Sequence, residues 1–215
     1  MFGKSLTVLM GLILTPGFAS MSDSSSSGAL LLLRPSAGIP VSFRQVEEHR
    51  RLDNGTFAVE FTVTAQQYRD AAGRVRIESE TRAKAGNSSS VVIADPVAGF
   101  QIFLMDAEKL AIRWPIPVSS EGRLFFADAA DGQDVPHKWK TTTEDKGEHL
   151  IEGYEFKGTR IITSAEDDKA LATTFDQWYS EKLKLIGAID RSGPYRAYTV
   201  RIEQLKLGEP DSKLF

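Results

Sequence analysis

Alternate residues between Thr56 and Thr64 are apolar: Phe57, Val59, Phe61 and Val63 share one phase, and Ala58, Glu60, Thr62 and Thr64 the other. A period of two is that of a strand whose successive side chains leave opposite faces of a sheet, so this segment predicts a half-buried strand with those four residues covered. Asp53-Asn54-Gly55 just before it contains the residues that tolerate positive backbone dihedrals. It predicts a tight turn from an earlier strand at Val41–Arg51, giving a first hairpin. Tyr68–Arg74 supplies a second turn, after which Val75 and Ile77 alternate with Arg74, Arg76 and Glu78. Val91-Val92-Ile93 is a short strand stopped by Asp95-Pro96, because proline lacks the donor a central strand needs; Ser88–Ser90 before it reads as loop.

Phe100–Met105 and Lys109–Trp114 flank Asp106-Ala107-Glu108 and predict a third hairpin. Its outgoing strand is apolar on both faces, with Phe103 and Met105 opposite Phe100, Ile102 and Leu104. Such a strand is either central or lines a cavity. Residues 115–148 lose the rhythm: Pro115 and Pro117 open a stretch rich in Asp, Gly and Thr, in which only Arg123–Ala127 has strand character. Strands resume at Leu150–Ser164, where Gly153 and Gly158 mark bulges or close backbone approach. Ser164 and Asp167 stand at capping-box spacing before Ala170-Leu171-Ala172, which predicts one short helix over Ser164–Thr173. Thr173–Tyr179, Leu183–Ile189 and Tyr195–Leu207 close the chain as strands.

The N-terminus breaks this pattern. Lys4, an apolar run from Leu6 to Leu14, and Pro16-Gly17-Phe18-Ala19-Ser20 follow the layout of a secretory signal peptide over residues 1–20. The run is about half the roughly 20 residues of a bilayer-spanning helix, so no permanent span is expected after cleavage. Ser22–Gly28 is almost all Ser, and residues 21–38 read as a flexible linker in which Ala29–Leu33 is a loop-end plug or edge strand. Residues 39–215 then form a single antiparallel β domain. The expected location is periplasmic or extracellular.

Composition narrows the class further. The formal charge of −3, with both signs interspersed, argues against a nucleic-acid surface. There is no Cys, so disulfides, thiol nucleophiles and thiolate metal sites are excluded and burial alone must stabilise the fold. His49, His137 and His149 are far apart and read as surface or loop residues. No Ser lies in a Gly-x-Ser-x-Gly elbow, and no glycine-rich phosphate loop is present. Glu47-Glu48 and Asp167-Asp168 read as solvated charge. No catalytic residue, metal ligand or cofactor site is assigned. The residues singled out for ligand contact are Phe103 and Met105 on the doubly apolar strand and Trp139, placed by its surroundings in a mobile lid.

Several segments in order carry a resemblance: Leu52–Thr56, Tyr68–Arg76, Ile93–Gly99, Gly153–Arg160, Gln177–Ser180 and Gly208–Phe215. Together they resemble a family of exported bacterial proteins of unknown function, with no counterpart for residues 115–148. The resemblance implies a mainly β fold, a single curved antiparallel sheet of the lipoprotein-carrier (LolA-like) half-barrel kind with at most one or two short helices. It also implies a concave side able to hold acyl chains, and it carries no catalytic residues. Two functions follow as expectations: binding of a lipid or lipoprotein acyl chain in the concave face, or a non-catalytic envelope interaction or scaffolding module with a filled core. A hydrolase is a third reading. Oligomeric state is not specified by any of these features.

Overall fold

The computed structural model describes residues 32–33, 35, 37–105, 108–116 and 138–215. The signal peptide, most of the linker, His137 and the Arg123–Ala127 strand lie outside the described residues. The strands in chain order are β1 (Val41–Asp53), β2 (Thr56–Arg69), β3 (Val75–Ala83), β4 (Gly86–Asp95), β5 (Phe100–Met105) and β6 (Leu110–Pro115). They continue as β7 (Trp139–Ile151), β8 (Tyr154–Ala165), β9 (Thr173–Ser180), β10 (Leu185–Ser192) and β11 (Arg196–Leu207). All eleven form one antiparallel sheet in the order β6-β5-β4-β3-β2-β1-β11-β10-β9-β8-β7. The sheet is an open half-barrel, as expected. Among the described residues no helix is long and apolar enough to cross a membrane.

The turns sort to two ends. The β1–β2, β3–β4, β5–β6, β8–β9 and β10–β11 connections lie at one end, marked by Asn54. The β2–β3, β4–β5, β7–β8 and β9–β10 connections lie at the other, marked by Leu33, which bridges to Leu185. Asn54 (φ 48°) and Gly55 (φ 80°) both take positive dihedrals, the geometry a two-residue hairpin needs to match strand twist. Glu152 and Gly153 repeat it between β7 and β8, so Gly153 makes a turn rather than a bulge.

Packing concentrates at the Leu33 end. Leu32, Leu33, Val41, Phe43, Leu183 and Leu185 are each at most 1% exposed. Each such side chain contributes about 1.5–3 kcal/mol relative to exposure. Leu32 also accepts from the Ile186 amide at 3.2 Å, so packed structure begins before Ile39. Among the described residues the core holds one large cation: Arg69, fully buried, donates to the carbonyls of Ile39 (2.8 Å), Leu183 (2.6 Å) and Lys184 (3.2 Å). Burial pulls its pKa down, and three carbonyl acceptors compensate the guanidinium. On the same end the C-terminal segment folds back on the β2–β3 turn. Ala71 donates to Glu209, Arg76 donates to the Leu214 carbonyl at 3.1 Å, and Arg74 lies 4.9 Å over the Phe215 ring.

The structure corrects several expectations. Val63 is buried and Phe61 half-buried, but Phe57 and Val59 are 39% and 44% exposed. The cause is a register slip: His49 pairs with Phe61 and Arg50 with Val59, leaving Glu60 as an extra residue. An added residue in a period-two pattern sends everything beyond it to the opposite face. Ser88–Ser90 belong to β4, paired with Thr81, Glu80 and Ser79. Strand β5 is not central but second from the edge. The expected helix is only a three-residue 3₁₀ turn, Lys169–Leu171, whose cap Asp168 accepts from the Ala170 amide at 2.9 Å. Ser164 is taken by β8, where it pairs with Lys140, and too few residues remain to nucleate an α-helix.

The irregular stretch 115–148 also proves partly regular, since β7 starts at Trp139. Its sequence, WKTTTEDKGEHLI, has almost no apolar alternation because an edge strand exposed along most of its length has little to bury. Thr-rich backbone pairing to β8 is enough to form it. Its charges and the bulge between Asp145 and Gly147 blunt the open edge.

Candidate functional site

The described apolar space lies at the Asn54 end of β4, β5 and β6. Val91, Leu104, Met105, Leu110 and Ala111, with Ser89, Ser90 and Lys109 at the rim, line an open groove of about 430 Å³. Its size falls within the roughly 300–1,000 Å³ typical of small-molecule sites. β5 is apolar on both faces, and among the described residues only β6 lies beyond it, pairing with β5 along all six residues and ending the sheet there. All six residues of β5 remain half-buried, and Leu110 and Ile112 of β6 are 43% and 39% exposed.

Met105 lines this groove directly. Phe103, two residues along the same strand, sits opposite Val92 and Ile112 with its ring tilted against Trp114 at 6.4 Å. It supports the groove from within β5. Trp139 does not line this groove. It begins β7 at the opposite edge of the sheet, pairs with Ala165 and is 55% exposed, in a regular strand rather than a lid.

A second constellation escaped the sequence reading. Five alternate residues of β1, Val41, Phe43, Gln45, Glu47 and His49, share one face, opposite Arg69, Gln67, Ala65, Val63 and Phe61 of β2. Gln67 donates to Gln45, Gln45 donates to Glu47, and His49 Nε2 lies 3.0 Å from Glu47 Oε2. Gln45, Gln67 and Glu47 are at most 1% exposed. Glu47 is therefore a buried, hydrogen-bonded carboxylate, not the solvated charge expected of the Glu47-Glu48 pair. His49 is neither loop nor surface: its ring is stacked between Phe61 (4.2 Å) and Tyr198 (5.2 Å). The signal was available, since polar residues at 45, 47 and 49 continue the phase of Val41 and Phe43. The row anchors the centre of the sheet and rigidifies the face beneath it.

Beyond β11, ionic chemistry is structural. Arg160 donates to Asp176 twice, at 2.6 and 2.7 Å, from the residue directly opposite it in β8. Those bonds, with the nearby Arg160 and Lys146 charges, hold the Asp176 carboxyl below the usual carboxylate range against its burial. Gly158, beside them, is a close approach: a Cβ there would stand 2.7 Å from Lys146 Cβ and 3.0 Å from Trp178 Nε1. Among the described residues no three His, Cys, Asp or Glu side chains gather to hold a metal ion.

No protein-family model and no curated protein matches the chain. Among solved structures it is similar to a DUF1329 family protein from Desulfovibrio piger, at 11% identity and a TM-score of 0.31, covering 83% of this chain and 90% of that one. It is also similar to a Vibrio parahaemolyticus domain described as outer membrane lipoprotein-sorting, at 8% identity and TM-score 0.36, covering 84% and 91%. A third similarity is to a Parabacteroides distasonis protein described as a lipoprotein, at 11% identity and TM-score 0.30, covering 83% and 100%. Likenesses so distant carry no functional weight, and the architecture rests on the strand register described above.

Proposed function

We propose that the protein is an exported envelope protein that holds an apolar chain of the acyl type in the β4–β5–β6 groove. The observation that supports this reading is the doubly apolar β5 beside a short β6, which leaves Leu104, Met105 and Leu110 bordering open space. The rest of the covered face is already occupied: Leu32, Leu33 and Phe43 fill the Leu33 end and the Gln45–Glu47–Gln67 row fills the centre. The ligand is therefore held at one wing of the half-barrel rather than under its middle. Lys109 at the rim supplies a cation for an anionic headgroup.

Titration with a fluorescent fatty acid tests this. Saturable binding is expected at micromolar concentration, with Met105→Glu weakening it at least about tenfold through the cost of burying a carboxylate against the chain. Trp139→Ala should leave it unchanged. Binding that ignores Met105→Glu, or none in the wild type, would remove the groove as a ligand site and leave the filled-core interaction module.

A further inference from the structure

We infer that the Asn54 end of the sheet docks on an anionic lipid surface. Three hairpin tips meet there side by side, because β4-β3, β2-β1 and β11-β10 are consecutive in the sheet. The register slip at Glu60 sets the residues at the middle tip. Leu52 pairs with Phe57, and the Leu52 amide donates to the Tyr195 carbonyl at 2.8 Å, so Phe57, Leu52 and Tyr195 form one lateral row across β2, β1 and the start of β11. Val59 lies on the same face, two pairs along. These four are 37–56% exposed, a contiguous apolar patch at the extremity of the molecule. Such patches on soluble folds mark interaction sites.

The charges around the patch are one-sided. Residues 50–59, 82–86 and 191–196 carry Arg50, Arg51, Arg82, Lys84, Arg191 and Arg196 against a single Asp53, in a chain whose formal charge is −3. Arg51 and Arg196 stand directly opposite each other in the β1–β11 ladder. Like charges in that position repel, so an anion placed beside them stabilises the pair. Arg50 is held tightly by Glu48 at 2.5 Å, whereas Glu60 at 3.8 Å from Arg51 and Glu80 at 3.9 Å from Arg82 hold exposed, loose ion pairs that a phosphate readily replaces. Apolar and aromatic side chains beside arginines and lysines match the acyl–headgroup boundary of an anionic bilayer. The β8–β9 connection at the same end carries Glu166, Asp167 and Asp168, which keeps that flank off the surface and tilts the protein onto the β4 to β10 side. The groove at β4–β6 opens at this end too, but docking does not depend on it, and the two are read by different probes.

The absence of cysteine allows a site-specific test on the full chain. Thr56→Cys at the tip and Val97→Cys at the Leu33 end, each carrying an environment-sensitive dye, are titrated with phosphatidylcholine vesicles with and without phosphatidylglycerol. The dye at 56 should shift to the blue and be quenched by bilayer nitroxides on the anionic vesicles, while the dye at 97 stays hydrated. Arg51→Gln and Arg196→Gln should each weaken the response roughly fivefold. Val59→Ser should weaken it as well, and the charge variants carry the test if that substitution unfolds the tip. Equal dehydration at 56 and 97, an equal response to neutral vesicles, or no response would overturn the inference. Dehydration at 56 that grows with protein concentration without lipid would instead assign the patch to a second copy.

Discussion

The two ends of the sheet are made from the same strands and are built for different purposes. At the Leu33 end, three separate segments fold over the strand termini: Leu32–Leu33, the 183–184 turn and the C-terminal 208–215, with Arg69 donating to that turn and to the Ile39 lead-in of β1. At the Asn54 end, the hairpin tips project with Leu52, Phe57, Val59 and Tyr195 uncovered. Contrasts of this kind separate residues that hold a fold from residues available to meet something else.

The contrast is broken first at Arg69. Arg69→Ala removes the donor from the carbonyls of Ile39, Leu183 and Lys184 and opens a cavity, so it should cost at least about 3 kcal/mol in urea unfolding. A loss below about 1 kcal/mol would mean that water takes the place of the guanidinium and that the Leu33 end is not the stable one. A smaller and conditional effect comes from the middle of the sheet. Asp176 has a folded pKa held below the ordinary carboxylate value of about 3.9, chiefly by the Arg160 hydrogen bonds. Its contribution is present above the unfolded value and is lost as pH falls through the folded one. Asp176→Asn should therefore lower the thermal midpoint at neutral pH and flatten its decline below about pH 4. Parallel wild-type and variant profiles down to pH 2.5 would show that the ion pair contributes nothing. The smallest change is expected at the Asn54 end, where Phe57→Ser should alter stability by no more than about 0.5 kcal/mol. A loss of 2 kcal/mol or more, roughly the scale of a buried apolar side chain, would mean that the tip is part of the core after all.

Much of the sheet was legible because its strands obey a simple alternation. Thr56–Val63, Phe100–Met105 and Leu110–Trp114 announce themselves by apolar phase, and Asn54-Gly55 announces its turn by backbone chemistry. β7 was missed because an exposed edge strand has no apolar phase to read. The slip at Glu60 was missed because a bulge leaves no mark on the sequence pattern yet reverses which side faces the core. The groove is half legible: the doubly apolar strand points to Met105, whereas Trp139 stands in Pro-, Asp- and Gly-rich sequence that hides its place in a strand across the sheet. The row Gln45–Glu47–His49 was hidden by its polarity, since buried polar residues in correct phase look like solvated ones until their partners on β2 are known. The segments that carried the family resemblance, all but Leu52–Thr56, gather at or toward the Leu33 end. They describe how the fold is tied together and say little about the tips.

The strand order has a consequence for how the chain assembles. Each neighbour pairing joins consecutive strands except one, β1 with β11, where Val41 meets Leu207. Spliced across that seam and cut between β6 and β7, the polypeptide would run as an uninterrupted meander from β7 through to β6. The natural chain is that meander entered from its middle, with distant pairing among the described residues confined to that one ladder and the single Leu33–Leu185 bridge. Local hairpins can zip on both sides early, and the entropy of closing the long loop is met once, when the two halves join.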